Sequence, residues 1–329
     1  MAKRILRNLD EMVTSDGGVV DLRAIAVMPN THEADGHSSS ASHVIFGGGY
    51  TTANVNTCDM KQFSTDAVAV DHGDLTVARR LLAAASDGNQ VMFGGGYVSY
   101  RVYTIDMKQF STASYSVDYG DLTQDRYGLA AGSDGTQVMF GGGGYGAYPY
   151  YLNNCDMKQF SSNANAVDHG DLRVGRPSLG AGSDGTQVMF GGGADGSGKL
   201  NTCDMKQFST SATSTDHGDL SEAKSYPVAG SDGTQVMFGG GTSGAYVNTV
   251  DMKQFSSNAN AVDHGDLTQA RSILAGGSDG TQVMFGGGYD GSALLNTCEM
   301  KQFSTNANAV SHGDLTQARY HLSAGSGNA

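Results

Sequence analysis

A short phrase, Phe-Gly-Gly-Gly, recurs along the chain and constrains its fold more than any other feature. It occurs six times, and successive copies lie 47, 47, 50, 48 and 47 residues apart. A period of that length and regularity indicates one supersecondary unit copied many times. The sequence therefore predicts one repeat array over most of the chain. The phrase begins at Phe46, Phe93, Phe140, Phe190, Phe238 and Phe285.

Each repeat contains four strand-like pieces, as residues 274–315 illustrate. A piece of small residues (LAGGS) is followed by an SDGT turn, of the Asp-Gly kind that joins antiparallel strands. The apolar QVMF piece then runs into the glycines. The third piece, NTCEMKQF, alternates between polar and apolar residues, and the polar last piece suits an exposed edge strand. Four short antiparallel strands per repeat are typical of a propeller blade. We therefore expect an all-β fold, a six-bladed β-propeller of four-stranded antiparallel blades.

The two termini are expected to close the ring. The small-residue strand appears seven times if residues 24–28 and 320–323 are both counted, whereas the other three strands appear six times. Pairing between the termini removes free sheet edges, and we expect the C-terminal strand to complete the first blade. The predicted organisation is a docking segment over residues 1–20 and a propeller over residues 21–329.

The docking segment has two interpretations. Helical spacing of five apolar residues favours a short amphipathic helix, and a frayed tail is the alternative. A strand is predicted to follow over residues 19–28. The five apolar residues are Ile5, Leu6, Leu9, Met12 and Val13.

The charge pattern argues against several classes of partner. The formal net charge is −13, and 29 of the 33 acidic residues are aspartates, which favour turns. Nucleic acids and anionic membranes attract clustered basic residues, and the chain has none, so we expect neither partner. No run approaches the roughly 18 apolar residues of a membrane helix. The N-terminus lacks the apolar core of a secretory signal, which favours synthesis in a cytoplasm without secretion by a signal peptide.

The four cysteines occupy the same position of four different repeats, where the other two repeats carry Ile105 and Val250. A position that accepts all three residue types is typical of a small buried apolar slot. Equivalent positions of different blades lie too far apart for a disulfide. We therefore expect reduced thiols at Cys58, Cys155, Cys203 and Cys298.

Histidines recur once per repeat in the phrase (D/S)-(H/Y)-G-D-L, with Tyr119 in the remaining repeat. One ring per blade spreads these side chains around the rim, so packing or a hydrogen bond is favoured over a metal or a pH switch. These histidines are His72, His169, His217, His264 and His312. A polar loop near the N-terminus contains possible metal ligands, although its serines and glycines favour an ordinary loop; they are His32, Glu33, Asp35, His37 and His43. No metal and no other cofactor is predicted.

An aspartate in each GDL phrase precedes a basic residue by five positions, as Asp266 precedes Arg271. We expect these pairs to bridge the crossings between blades, because a guanidinium can hold a carboxylate and backbone carbonyls together. The lysine copy, Asp219 with Lys224, is expected to be the weakest. The other pairs are Asp74 with Arg79, Asp121 with Arg126, Asp171 with Arg176, and Asp314 with Arg319.

The loops after FGGG differ in every repeat and hold ten of the fifteen tyrosines. In a four-stranded blade these loops share one face with the crossings between blades. Tyrosine with serine and glycine is the composition of adaptable recognition surfaces, and the rings also suit stacking on sugars. The alternative is that the tyrosines only fill the loops. The candidate binding residues are Tyr50, Tyr97, Tyr100, Tyr103, Tyr145, Tyr148, Tyr150, Tyr151, Tyr246 and Tyr289.

The repeat as a whole resembles the kelch repeat over about residues 20–325, in its small apolar strand, Asp-Gly turn, glycine-ended strand and arginine before the next unit. It departs from kelch because the chain has no tryptophan; the phenylalanines of the third strands are expected to supply the aromatic packing. The unit is more similar still to kelch-like repeats of marine bacteriophage proteins, which pair FGGG with a phrase such as AVDHGDLT at residues 69–76. That resemblance implies a virion or tail-associated propeller.

The sequence thus predicts a non-enzymatic structural or adhesion propeller of a virion, made in the host cytoplasm. Its tyrosine-rich loops would bind a protein partner or a host-surface glycan, and residues 1–20 would dock on other virion proteins. Two alternatives remain open: an intracellular kelch-type interaction adaptor, and a glycan-active propeller enzyme with an acidic cluster or metal at the channel. No Ser-His-Asp arrangement, P-loop or HExxH motif supports the enzyme.

Overall fold

A computed structural model describes residues 11–13, 19–21, 41–145 and 150–329. It separates a unit of residues 1–33 from a unit of residues 34–329. In the first unit, strands Glu11–Val13 and Val19–Asp21 pair as an antiparallel hairpin. Met12 and Val13 therefore lie in a strand, contrary to the helix prediction, and the other three apolar residues of that pattern lie outside the described residues. The docking role of residues 1–20 stays a prediction.

The second unit is a six-bladed β-propeller, as predicted. Its six sheets each contain four antiparallel strands, numbered here as blades 1 to 6 along the chain. Blade 1 takes its innermost strand from the C-terminus: Ser323–Gly327 pairs with His43–Gly47, and Ala324 lies opposite Phe46. The prediction that the C-terminal strand closes the first blade is confirmed. Within the described residues, no helix is long and apolar enough to cross a membrane.

The four strands of each blade run outward in chain order, apart from the innermost strand of blade 1. The innermost strands are Ser323–Gly327, Ala83–Ser86, Ala130–Ser133, Gly180–Ser183, Val228–Ser231 and Ala275–Ser278. The second strands are His43–Gly47, Gln90–Gly94, Gln137–Gly141, Gln187–Gly191, Gln235–Gly239 and Gln282–Gly286. The third strands are Thr57–Gln62, Thr104–Gln109, Asn154–Gln159, Thr202–Gln207, Thr249–Gln254 and Thr297–Gln302. The fourth strands are Val70–Asp74, Val117–Asp121, Val167–Asp171, Thr215–Asp219, Val262–Asp266 and Val310–Asp314.

The glycines after the second strand are required by the contact between blades. A side-chain carbon at Gly47 would lie 2.6 Å from the ring of Phe93 in the next blade. Gly48 has a φ of 66°, and a side-chain carbon there would lie 2.7 Å from the Arg79 carbonyl oxygen. Only glycine allows both the turn and the close approach. The FGGG phrase thus sets how neighbouring blades pack.

The predicted pairing of each GDL aspartate with the basic residue five positions later is wrong. Each basic side chain instead reaches into the next blade. The Arg126 guanidinium is fully buried and lies 2.9 Å from Asp156, on the third strand of blade 3. It also donates to the Asn154 carbonyl oxygen at 2.8 Å. The GDL aspartate ends the fourth strand, before the crossing begins, and does not pair with the basic residue that follows it. The observed pairs are Arg79–Asp106, Arg126–Asp156, Arg176–Asp204, Lys224–Asp251, Arg271–Glu299 and Arg319–Asp59.

The lysine copy makes fewer hydrogen bonds than the Arg126 copy, and its predicted weakness stays a prediction. Lys224 Nζ lies 3.0 Å from Asp251 Oδ2, yet that oxygen has no hydrogen bond of acceptable geometry. Lys224 also donates to the Thr249 hydroxyl at 3.2 Å. Arg126, by contrast, reaches three backbone carbonyl oxygens besides its carboxylate. A planar guanidinium fills this site better than a point-like ammonium.

The recurrent cysteines and histidines have the structural roles that the sequence predicts. All four thiols are free and buried, and burial raises the pKa of Cys155 to about 12. Each recurrent histidine bonds through Nε2 to a glutamine carbonyl oxygen of the adjacent blade, as His72 does with Gln109 at 3.1 Å. Tyr119 makes the corresponding bond through its hydroxyl, to the Phe160 carbonyl oxygen at 2.7 Å. These rings therefore join neighbouring blades.

Candidate binding face

The loops after FGGG and the crossings between blades lie together on one face of the propeller, here called the loop face. In blade 1, Tyr50 pairs through its backbone with Tyr320, which lies just before the innermost strand. Tyr97 pairs with Arg80 in blade 2 in the same way. The corresponding residues of blade 4 are Ala194 and Pro177. Each blade thus presents a pair of adjacent residues, and the pair differs from blade to blade.

Rings from consecutive blades form a continuous arc on the loop face. Neighbouring ring centres are 5.7 Å apart for Tyr246 and Tyr289, 6.1 Å for Tyr289 and Tyr320, and 5.6 Å for Tyr320 and Tyr50. Two of these three ring pairs meet edge to face, an arrangement that aromatic pairs prefer, and the pair of Tyr289 and Tyr320 is tilted. All four rings are half-buried, so their free parts remain available for contact.

A guanidinium continues this arc into blade 2. Arg80 lies 4.6 Å from the ring centre of Tyr50 and 5.3 Å from that of Tyr97. Tyr97 then meets Tyr127 of blade 3 at 6.1 Å. Gly144 makes room for this last ring, because a side-chain carbon there would lie 2.9 Å from it. The tyrosine arc, as we call it, is Tyr246, Tyr289, Tyr320, Tyr50, Arg80, Tyr97 and Tyr127.

Other predicted tyrosines extend from the loop face into solvent. Tyr100 is 66% exposed and Tyr150 is 65% exposed, and Tyr103 and Tyr145 are also exposed. The ring of Tyr145 packs under Arg101 of blade 2 at 4.6 Å. Of the remaining two candidates, Tyr151 is half-buried beside Gly144, and Tyr148 lies outside the described residues. Four candidates, Tyr50, Tyr97, Tyr246 and Tyr289, thus belong to the arc, and the exposed rings lie around it. The binding role of the set stays a prediction.

The mouth of the central channel, inside the arc, is built from strained backbone. The residue two positions after each buried Arg or Lys has a φ between 59° and 65° in all six blades. Such left-handed backbone disfavours most side chains and concentrates at functional sites. Backbone hydrogen bonds link five of the six neighbouring pairs, as Gly128 N donates to the Leu81 oxygen at 2.8 Å. The six are Leu81, Gly128, Ser178, Tyr226, Ile273 and His321.

Two of these residues reach over the channel. The rings of Tyr226 and His321 come from blades 5 and 1, yet their centres lie only 5.8 Å apart. His321 also packs on Tyr320 at 4.5 Å. Burial, with a smaller effect of Arg80, lowers the pKa of His321 to about 3. The imidazole is therefore neutral at physiological pH and offers one donor and one acceptor.

Sequence reasoning missed the crossing residues of this site. It singled out tyrosines after FGGG, whereas Arg80, Tyr127, Tyr226, Tyr320 and His321 all follow the recurrent buried Arg or Lys. A signal was present: the second residue after that base differs in every repeat, as the loops do. Since crossings and loops share a face, variation in both marks the same surface.

The groups gathered on the loop face are suited to recognition by stacking and hydrogen bonding. The described residues contain no cluster of three metal-ligating side chains. Of the loop residues considered as metal ligands, four lie outside the described residues, and His43 is buried on its strand. Burial raises the pKa of the Tyr127 hydroxyl, which keeps it a hydrogen-bond donor. Comparison with protein-family models gives no match, and comparison with curated proteins gives none either, so the six-bladed β-propeller fold is what the chain is shown to have.

Proposed function

We propose that this protein is a non-enzymatic adhesion propeller that binds its target through the loop face. The observation that carries the proposal is the contrast between its two faces. On the opposite face, here called the turn face, the same aspartate turn recurs: Asp134 accepts from Thr136 N and Gln137 N at 2.8 Å, and Asp184 repeats the pattern. The loop face differs in every blade and carries most of the described tyrosines.

The propeller architecture supports a binding role because it holds loops of six blades on a rigid ring. Main-chain pairing anchors each loop to its crossing, so exposed rings such as Tyr100 and Tyr150 project from a fixed base. Tyrosines supply large contact area at low entropic cost when their base is rigid. The target would be a protein partner or a surface glycan.

We further propose that the protein is a component of a phage-like particle. The support is the resemblance of its repeats to kelch-like repeats of marine bacteriophage proteins. In this arrangement the propeller presents its loop face outward, and residues 1–20 dock on other virion proteins.

Antibodies against the two faces test this function. One antibody is raised against residues 97–103 of the loop face, and the control antibody against residues 131–137 of the turn face. The proposal predicts that the first labels intact particles and blocks their attachment to host cells, whereas the second does not block attachment. Failure of both antibodies to label purified particles would contradict a virion role, and equal blocking by both would contradict a special role for the loop face.

A further inference from the structure

Arg80 differs from every other described arginine in lacking a carboxylate partner. Eight arginines lie in the described residues, and the other seven each pair with an aspartate or glutamate. The Arg80 Nε atom is also shielded from solvent without a hydrogen bond. In a chain of net charge −13, an arginine held between Tyr50 and Tyr97 with no acid beside it is an available anion site.

His321 also has polar atoms without partners. Both of its ring nitrogens are shielded from solvent, and neither has a hydrogen-bond partner. Buried polar atoms are nearly always paired, and each exception calls for an explanation. Arg80 stacks on Tyr50, Tyr50 meets Tyr320, and Tyr320 packs on His321. Arg80 and His321 therefore belong to one cluster of packed side chains at the channel mouth.

We propose that this cluster binds a carboxylated sugar residue, such as a uronate, at the end or within a polysaccharide. The inference rests on the proposed function and names the ligand class of its loop face. The carboxylate accepts hydrogen bonds from the Arg80 guanidinium. The sugar ring packs on the half-buried rings of Tyr50 and Tyr320, beside His321.

The packed rings favour a sugar over an acidic peptide. Tyr50 and Tyr320 are only half-buried, so each leaves part of a flat apolar surface open near Arg80. The surrounding rings suit the apolar face of a pyranose, whereas the positive charge of Arg80 selects for an acid.

Calorimetry on the full chain tests the proposal with defined oligosaccharides. The probes are a tetramer of galacturonate and a tetramer of neutral galactose, each measured at low and at moderate salt. The variant Arg80→Gln removes the charge, and Arg101→Gln is the matched control. Arg101 also stacks on a tyrosine, Tyr145 at 4.6 Å, but it is already paired with Asp125 at 3.2 Å.

We expect the galacturonate tetramer to bind more tightly than the neutral tetramer and to weaken with salt. Arg80→Gln should lower its affinity about tenfold or more, whereas Arg101→Gln should change it less than about twofold. Equal affinity for both tetramers, or equal effects of the two arginine variants, would overturn the proposal.

The failure of this inference can be distinguished from failure of the adhesion function. If galacturonate does not bind but the purified protein still competes with particles for host cells, the ligand class is wrong and adhesion stands. Binding of a glutamate peptide with no binding of galacturonate would likewise overturn the sugar and leave adhesion intact. If the protein neither binds galacturonate nor competes, both proposals are wrong.

Discussion

The interior of the propeller and its loop face use the same repeat in opposite ways. In the interior, every blade repeats one solution: a buried Arg or Lys enters the next blade and pairs with the acid at one fixed position. On the loop face, the two residues beside each crossing change from Tyr50 and Tyr320 in blade 1 to Ala194 and Pro177 in blade 4. The comparison teaches that the repeated residues maintain the ring, and that the repeats differ at the face for which we propose a binding role.

Removing an interior cation should produce the largest effect. Arg126→Met leaves Asp156 buried without its partner, and we expect a loss of about 3–5 kcal/mol in the free energy of unfolding. Lys224→Met is the matched variant and should lose less, because Lys224 makes fewer hydrogen bonds. Urea unfolding of both variants measures this. Equal losses would show that the two sites are equivalent and would contradict the ranking.

Removing exposed rings from the loop face should affect binding and leave stability intact. Tyr100→Ser combined with Tyr150→Ser is expected to weaken attachment of the purified protein to host cells about tenfold, with a change in unfolding free energy below about 0.5 kcal/mol. The control is Tyr115→Ser, since Tyr115 is 72% exposed but lies between the third and fourth strands of blade 2, on the turn face. Cell-binding assays that show the same loss for the control would contradict the distinction between faces.

High pH should expose the contribution of a buried thiol. The pKa of Cys155 is raised from 9.0 to about 12, chiefly by burial, so the unfolded chain releases this proton first as pH rises. Stability present below pH 9 is therefore lost progressively up to about pH 12. Cys155→Val, which copies Val250 of blade 5, should retain about 1 kcal/mol more of its stability at pH 10 than the unchanged protein does. Denaturant unfolding at pH 7 and pH 10 tests this, and parallel losses would contradict it.

The smallest effect is expected where one blade already shows a natural substitute. His264→Tyr copies Tyr119 and should change the unfolding free energy at pH 7 by less than about 0.5 kcal/mol. Burial lowers the pKa of His264, so its contribution is present above pH 6.5 and is lost as pH falls below that value. The melting temperature of the variant should therefore fall less between pH 7 and pH 5 than that of the unchanged protein does. An equal fall in both proteins would contradict this prediction, because groups other than His264 would then set the acid sensitivity.

The fold could be predicted from the sequence because repetition multiplies weak signals. A single SDGT turn or QVMF strand predicts little, but six copies at one spacing predict the blade, and the extra small-residue strand predicts the closure of blade 1. Reduced thiols and hydrogen-bonded histidines followed from the same alignment of repeats.

The ion pairs and the channel mouth could not be predicted in the same way. Every repeat contains one acid in GDL and another on the third strand, so spacing alone does not choose the partner of Arg126. Only the crossing, which carries the guanidinium into the next blade, decides it. The contact of Tyr226 with His321 joins blades 5 and 1 across the channel, and no sequence period reports it.

The orientation of the propeller on its native particle tests the central claim most directly. A density map of the protein purified from its native source would show which face points outward. We predict that the loop face, with Tyr100 and Tyr150, faces solvent or the bound target while residues 1–20 contact a neighbouring subunit. A loop face buried against other subunits of the particle would contradict the account, because the tyrosines would then be assembly contacts.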